Sequence, residues 1–247
     1  MLELRERALV DLATSSARHG CGLFESVLVR DGRAQRLGWH LERLAAGTRF
    51  LRLDEPPAED AVDRFAEDRL GMRGLASGAL RLYATDDFLA LALSPGPLPP
   101  LASQEAGIAT SIRRWSGSPL CRFKTLSYLE NIILAREAEG RGLADVVALN
   151  EARNLSDGGR TSLFVVRGNR VLTPPCADGA LPGIARRLLL ESGLAREERL
   201  APADLTAIDG AFLTNALRLV VPLGRLEGRD LDPGHPLIEK AIRLFEE

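Results

Sequence analysis

Lysine is nearly missing from this chain. Of its 32 basic residues only Lys124 and Lys240 are lysines, so plain positive charge is carried by arginine. Arginine stays protonated, whereas an ammonium can lose its proton when desolvated and then attack a carbonyl carbon, so a lysine retained against this background is a candidate for amine chemistry. Cysteine is scarce as well. Cys21, Cys121 and Cys176 stand far apart, are odd in number and form no CxxC pair, which argues against a disulfide framework or a zinc site and for reduced thiols in a cytoplasm. His19, His40 and His235 show no HxxH or HExxH spacing, so a histidine-built metal site is not expected. Neither sign of charge dominates: the formal charge is −2 and the arginines are scattered, which offers no footprint for nucleic acid. No apolar run approaches the roughly 18 to 20 residues that span a bilayer. The opening stretch MLELRERALV is charged from its third residue and has no signal-peptide apolar core. These absences predict a cytoplasmic protein with no nucleic-acid or membrane partner.

What remains is an ordinary globular composition. At 247 residues, 45% hydrophobic and 27% charged, the chain can bury a real core as one large domain or two small ones. Of the two lysines, Lys124 has the stronger setting. It lies between Phe123 and the apolar run Leu126, Tyr128, Leu129, Ile132 and Ile133, just before a helix, while Lys240 sits beside Glu239 near the C-terminus. The plain alternative is a surface ammonium at a helix entrance.

Periodicity gives the elements. Leu23, Glu25, Val27 and Val29 alternate with Phe24, Ser26, Leu28 and Arg30, and Asp31-Gly32 is a two-residue turn, so 22–37 reads as a β-hairpin. A helix is expected from about Gly38 or His40 to Leu51, then another from about Ala58 to Leu70 beyond Pro56-Pro57. Strands are expected at Gly78–Ala84 and Phe88–Leu93, with the Pro-rich run Ser94–Ser103 as an edge of the first domain and a further strand at Gly107–Arg114. In the second half a helix from about Tyr128 to Arg141 ends at Gly142. Strands follow at Val146–Asn150, Ser162–Val166 and Arg170–Leu172, with a polar loop, Glu151–Thr161, between the first two. Later come a helix at Ile184–Ser192, a short one at Pro202–Ala207, a strand at Gly210–Thr214 and a terminal helix at Leu237–Phe245. The expected class is α+β (mixed α/β) in two lobes: residues 1–112, a connector 113–123, and residues 124–247.

Several loops carry groups that suit an anionic, basic-ring ligand. LPGIARR starts a helix at Gly183, whose first N–H groups, at Ile184 and Ala185, form a seat for phosphate. Asn215 and Ala216, at the end of a strand, can add N–H groups to it. Arg43 stands one helical turn after His40, and a guanidinium grips phosphate through parallel hydrogen bonds. Asp157 can offer a carboxylate to a ring nitrogen. Singly, each has a plain explanation: glycine commonly precedes helices, Arg43 can be a solvated charge, and Asp157 before Gly158-Gly159 can be a turn former.

Taken in order, the blocks GCGLFESVLVRDG, HLERL, KTLSYLEN, DVVALN, LSDGGRTSLFVVRGN, LTPP, LPGIARR and FLTNALRLVVPL resemble the class IV aminotransferase family, the pyridoxal-phosphate enzymes of fold type IV. The resemblance runs from about residue 18 to residue 224. It implies a small N-terminal α/β lobe and a larger C-terminal lobe with a β-barrel-like core and helices. It also implies that Lys124 forms a Schiff base with pyridoxal 5'-phosphate and shuttles the α-proton. Arg43 and the backbone at Ile184, Ala185, Asn215 and Ala216 would hold the phosphate, and Asp157, where the family usually has Glu, would face the pyridine nitrogen. Phe24, Ser26 and Tyr128 would meet the substrate, and two copies would form a homodimer. Ser162 stands in place of the usual Asn and Ala185 in place of the usual Thr, and ATDDFLALAL is shorter than the loop many relatives carry.

The expected activity is that of an aminodeoxychorismate lyase in folate biosynthesis, on the likeness of KTLSYLEN and FLTNAL and the short chain. Transamination of a D- or branched-chain amino acid is the second expectation. A catalytically weak paralogue with a binding or scaffolding role is the third.

Overall fold

A computed structural model describes residues 1–6, 10–96 and 104–246. The chain divides into two compact units, Met1–Pro99 with Phe123–Tyr128, and Pro100–Arg122 with Leu129–Glu247. Residues 97–103 of the Pro-rich run expected at a domain edge lie outside the described residues.

The first unit contains β1 (Glu3–Arg5), α1 (Ser15–His19), β2 (Leu23–Arg30), β3 (Arg33–Ala34), α2 (Leu37–Leu51), α3 (Glu59–Met72), β4 (Gly78–Ala84) and β5 (Phe88–Pro95). Its sheet runs β1-β5-β4-β2-β3, antiparallel except for β1 beside β5. The expected hairpin is present: Arg30 pairs with Arg33, and Asp31 and Gly32 take φ of 52° and 71°, the left-handed pair such a tight turn requires. The buried row of β2 packs with Leu80, Leu82, Leu89 and Leu91 against Leu37, Leu41 and Leu44 of α2 and Val62, Ala66 and Leu70 of α3. Each such leucine or valine side chain contributes about 1.5–3 kcal/mol. Gly47 lets α2 lie close, since a Cβ there would stand 2.7 Å from a methyl of Leu23.

The second unit contains β6 (Glu105–Arg114), α4 (Leu129–Gly140), β7 (Asp145–Asn150), β8 (Leu155–Gly158), β9 (Ser162–Arg167), β10 (Arg170–Thr173), α5 (Ile184–Glu191), β11 (Ala195–Glu197), β12 (Gly210–Asn215), β13 (Leu219–Pro222), β14 (Arg225–Leu226), β15 (Arg229–Asp230) and α6 (Pro236–Arg243). They form two five-stranded sheets, β15-β14-β6-β7-β8 and β11-β10-β9-β12-β13. Val147, Leu149 and Leu155 of the first sheet share one core with Leu163, Val165, Ala211 and Leu213 of the second. The alternate residues Phe164, Val166 and Phe212 face outward beneath Ala185 and Leu189 of α5 and Ile238 of α6. On the other sheet α4 crosses from β6 to its parallel neighbour β7, resting Leu134 and Ala138 on Val146 and Ala148.

The partition differs from the expected one in two places. β6 pairs with β7, so the stretch up to Arg114 belongs to the second unit. Lys124 belongs to the first, because Phe24 N donates to its carbonyl at 2.8 Å and Thr125 bridges to Leu23. The expected loop 151–161 is also corrected: it contains β8, which pairs Gly158 with Val147 and Leu155 with Leu149, so Asp157 lies on a buried strand. Among the described residues no helix is long and apolar enough to cross a membrane, and no cluster of His, Cys, Asp and Glu is placed to hold a metal ion.

Candidate functional site

In the first unit the site is built on the side of the sheet opposite its helices. The backbone of 123–128 is fixed along the start of β2, with Leu126 N donating to Gly22 O at 2.9 Å. That contact delivers the Lys124 side chain to the Phe24 side of β2. Its Nζ lies 4.0 Å from the centre of the Phe24 ring and 4.5 Å from that of Tyr128, and donates to the Tyr128 hydroxyl at 3.2 Å. The rings of Phe24 and Tyr128 meet edge to face at 4.9 Å, and Phe24 stacks on Tyr83 at 6.3 Å. The amine therefore stands against an aromatic wall, which attracts a cation and shields the nitrogen from water on that side.

The same face continues past the aromatic residues. Phe24 is opposite Tyr83, and Ser26 is opposite Arg81. Arg81 donates to the Ser94 hydroxyl at 2.8 Å, which brings its guanidinium to this face. Tyr83 and Arg81 were not singled out from the sequence. The signal was the strand alternation of β4, which becomes informative only once its partner residues on β2 are known.

On the helix side of the sheet lies a buried charge cluster. Glu25, only 1% exposed, accepts from Arg43 Nε at 2.7 Å and Arg43 Nη2 at 2.6 Å, and meets His40 Nδ1 at 2.7 Å. Burial pushes the Glu25 carboxyl up, but the Arg43 charge and the hydrogen bonds from His40 and Arg43 outweigh it and hold the group at about 2. An ionised carboxylate only accepts, so His40 carries its proton on Nδ1. Two of Arg43's five N–H donors are thus committed to Glu25. HLERL hinted at this arrangement through its one-turn spacing, and Glu25 through its charge on an apolar row.

The second unit holds the other expected residues. Asp157, 6% exposed, accepts from Arg114 Nε at 3.2 Å and from Leu181 N at 3.0 Å. Burial raises its carboxyl above the usual range, and the Arg114 charge and these donors oppose the rise without cancelling it. Arg114 also reaches Asn131 Oδ1 at 3.2 Å and Glu130 Oε2 at 3.4 Å, tying β8 to the first turn of α4. Asp145 fixes the turn after Asp157: it accepts from Gly159 N and Arg160 N, each at 3.0 Å, and from the Thr161 hydroxyl at 2.7 Å. Neither Arg114 nor Asp145 was named from the sequence, since each acts through a residue far along the chain.

Ile184 and Ala185 form the first turn of α5, and Gly183 before them supplies no side-chain cap. Asn215 turns its side chain back on its own loop, accepting from Leu217 N at 3.0 Å and Arg218 N at 2.8 Å, and so shapes the backbone at Ala216.

A model of amino-transferase class IV matches residues 22–226. The bifunctional aminodeoxychorismate lyase / D-amino acid transaminase of Mycobacterium tuberculosis is 29% identical over 262 residues, covering 94% of this chain and 90% of that protein. A protein of Methanocaldococcus jannaschii provisionally named a branched-chain-amino-acid aminotransferase is 27% identical over 231 residues, covering 85% of this chain and 80% of that protein. Among solved structures, a provisionally named 4-amino-4-deoxychorismate lyase of Legionella pneumophila shares the fold with a TM-score of 0.88 at 23% identity, covering 99% of this chain and 98% of that one. Enzymes of class IV use pyridoxal phosphate, and two features of this chain suit such a group: an amine beside an aromatic wall, and a helix start with no side-chain cap.

Proposed function

The chain belongs to the class IV aminotransferase family, and from that premise we propose that it is a pyridoxal-phosphate-dependent lyase converting 4-amino-4-deoxychorismate to 4-aminobenzoate and pyruvate. The observation that carries this reading is the wall of Phe24 and Tyr128 against the Lys124 amine, extended by Tyr83, with Arg81 two residues along the same face. Such a wall suits a flat six-membered ring, and a guanidinium beside it suits the ring's carboxylate. The M. tuberculosis relative, whose name includes the lyase activity, supports the same choice.

When bound, the cofactor would supply an aldehyde for the substrate amine and an electron-accepting ring. Lys124, in its unprotonated form, removes the proton from the carbon bearing that amine. The C–O bond on the neighbouring carbon then breaks, enolpyruvate leaves with a proton, and the remaining ring becomes aromatic. Tyr128 holds Nζ in place during the transfer, while Phe24 and Ser26 line the substrate's side of the sheet. Asp157, held by Arg114, would face the ring nitrogen. Arg43, oriented by Glu25, and the backbone of Ile184, Ala185, Asn215 and Ala216 would be the groups to hold the phosphate.

Pyruvate release from 4-amino-4-deoxychorismate without any keto acid is the test. Turnover that requires 2-oxoglutarate or another acceptor points instead to transamination of a D- or branched-chain amino acid, which the M. jannaschii relative favours. A colourless protein that takes up no cofactor on reconstitution leaves only a binding or scaffolding role. We also propose a homodimer, supported by the exposure of Trp115, Leu120, Leu129 and Ile132 in the second unit; a monomeric mass by light scattering rejects it.

A further inference from the structure

Ser162 and Thr214 face each other across the β9 and β12 pair. Directly opposed side chains of an antiparallel pair share a face, and alternation puts these two on the same face as Phe164 and Phe212, whose rings stack at 4.9 Å beneath α5 and α6. At the Ser162 end of this row the covering element is the start of α5: a Cβ on Gly183 would stand 3.3 Å from Ser162 Oγ. Thr214 is 1% exposed, and its hydroxyl is buried with no hydrogen-bond partner. Folded proteins seldom leave such a group unsatisfied, and an orphan at this place points to a missing acceptor.

The helix start supplies the complementary half. Its first-turn N–H groups have no acceptor within the helix, and its dipole favours an anion. The residues there, Leu181 to Ala185, carry no side-chain hydroxyl or amide, so any hydroxyl donor comes from the strands beneath. We propose that the Thr214 and Ser162 hydroxyls are hydroxyl donors of a phosphate-monoester seat completed by the first turn of α5. The identity of the monoester as the cofactor's rests on the reading given under Proposed function; the seat itself rests on the buried hydroxyl and the uncapped helix.

The test compares wild type with T214V, T214S and S162A. Protein stripped of cofactor is titrated with pyridoxal phosphate and, separately, with pyridoxal, which has the same aldehyde and no phosphate. Valine matches threonine in shape, and the hydroxyl it removes makes no bond in the ligand-free protein, so T214V is expected to melt no lower than wild type. Losing one hydrogen bond to a charged phosphate is expected to weaken pyridoxal phosphate binding about 10- to 100-fold in T214V while leaving pyridoxal unchanged. T214S retains the hydroxyl and is expected to bind within about threefold of wild type. S162A is expected to show the same phosphate-selective loss, and an unchanged S162A removes Ser162 from the seat. Equal binding by wild type and T214V, or an equal loss for both ligands, overturns the proposal. Should wild type bind neither ligand, the cofactor reading fails and inorganic phosphate decides: a rise in melting temperature for wild type but not T214V supports the seat, and no difference rejects it.

Discussion

Replacing Glu25 by glutamine tests the physical account of the first unit most directly. The carboxyl is held at about 2 against an ordinary 4.5, and it is 1% exposed. A displacement of roughly 2.5 pH units, at about 1.4 kcal/mol each, corresponds to about 3 kcal/mol of folding stability. Because the folded value is the depressed one, this contribution is fully present above pH 4.5 and is lost as the pH falls toward 2. Glutamine also removes the carboxylate charge that faces the Arg43 guanidinium, and breaking a buried pair in this way costs about 3–5 kcal/mol. Urea unfolding followed by circular dichroism is therefore expected to show E25Q less stable than wild type by about 3 kcal/mol at pH 7, with the gap closing as both are acidified to pH 3 and below. A difference under about 1 kcal/mol, or one that does not change with pH, would refute the claim that Arg43 and His40 outweigh the cost of burying this charge.

Other outcomes follow from the same geometry. K124A is expected to lose all turnover and the borohydride-fixed pyridoxyl adduct at that position; residual turnover at the wild-type rate removes Lys124 from the chemistry. R43A is expected to lose cofactor on dialysis and to be less stable, since Glu25 would then be buried with His40 alone; full cofactor content means that the phosphate is held elsewhere. R114Q removes the main charge that counters burial at Asp157, so that carboxyl rises further and the bound cofactor's spectrum is expected to change at higher pH than in wild type; an unmoved midpoint in a spectrophotometric titration contradicts this. Glu137, whose carboxylate accepts from Thr110 N, Ser111 N and Arg141 where the β6 register against β7 shifts, is held at about 2 by these donors in spite of its burial. E137Q is expected to destabilise the second unit by about 1–3 kcal/mol near neutral pH, an effect that fades below 4.5; urea midpoints at pH 7 and pH 3 check it.

Local signals carried most of the fold and the lysine. The Asp31-Gly32 turn, the rows of α2 and α3 and the glycine after α4 are each written in a few adjacent residues, and scarcity together with an apolar setting singled out Lys124. Misreadings arose where polar residues are buried. Leu155–Gly158 looks like loop because its serine and aspartate are polar, yet the strand is buried and Asp157 is satisfied by Arg114, 43 positions earlier. The unit boundary was missed for a related reason: the ladder that fixes residues 123–128 runs to β2, about a hundred positions away in the chain, and leaves no periodic trace in either segment. Arg81, Arg114 and Asp145 share this character, since each acquires meaning only from its partner.

The Lys124 amine lies over two aromatic faces, while Lys240, on α6, is exposed. Circulating ring electrons shift the magnetic resonance of nuclei held above them, and solvent does not. Protein grown on isotopically enriched lysine should therefore give two well-separated side-chain signals, one for each lysine in the sequence. The sequence's economy with this residue thus makes the Lys124 nitrogen its own reporter, one that can be followed through ligand addition and pH titration without a chemical label.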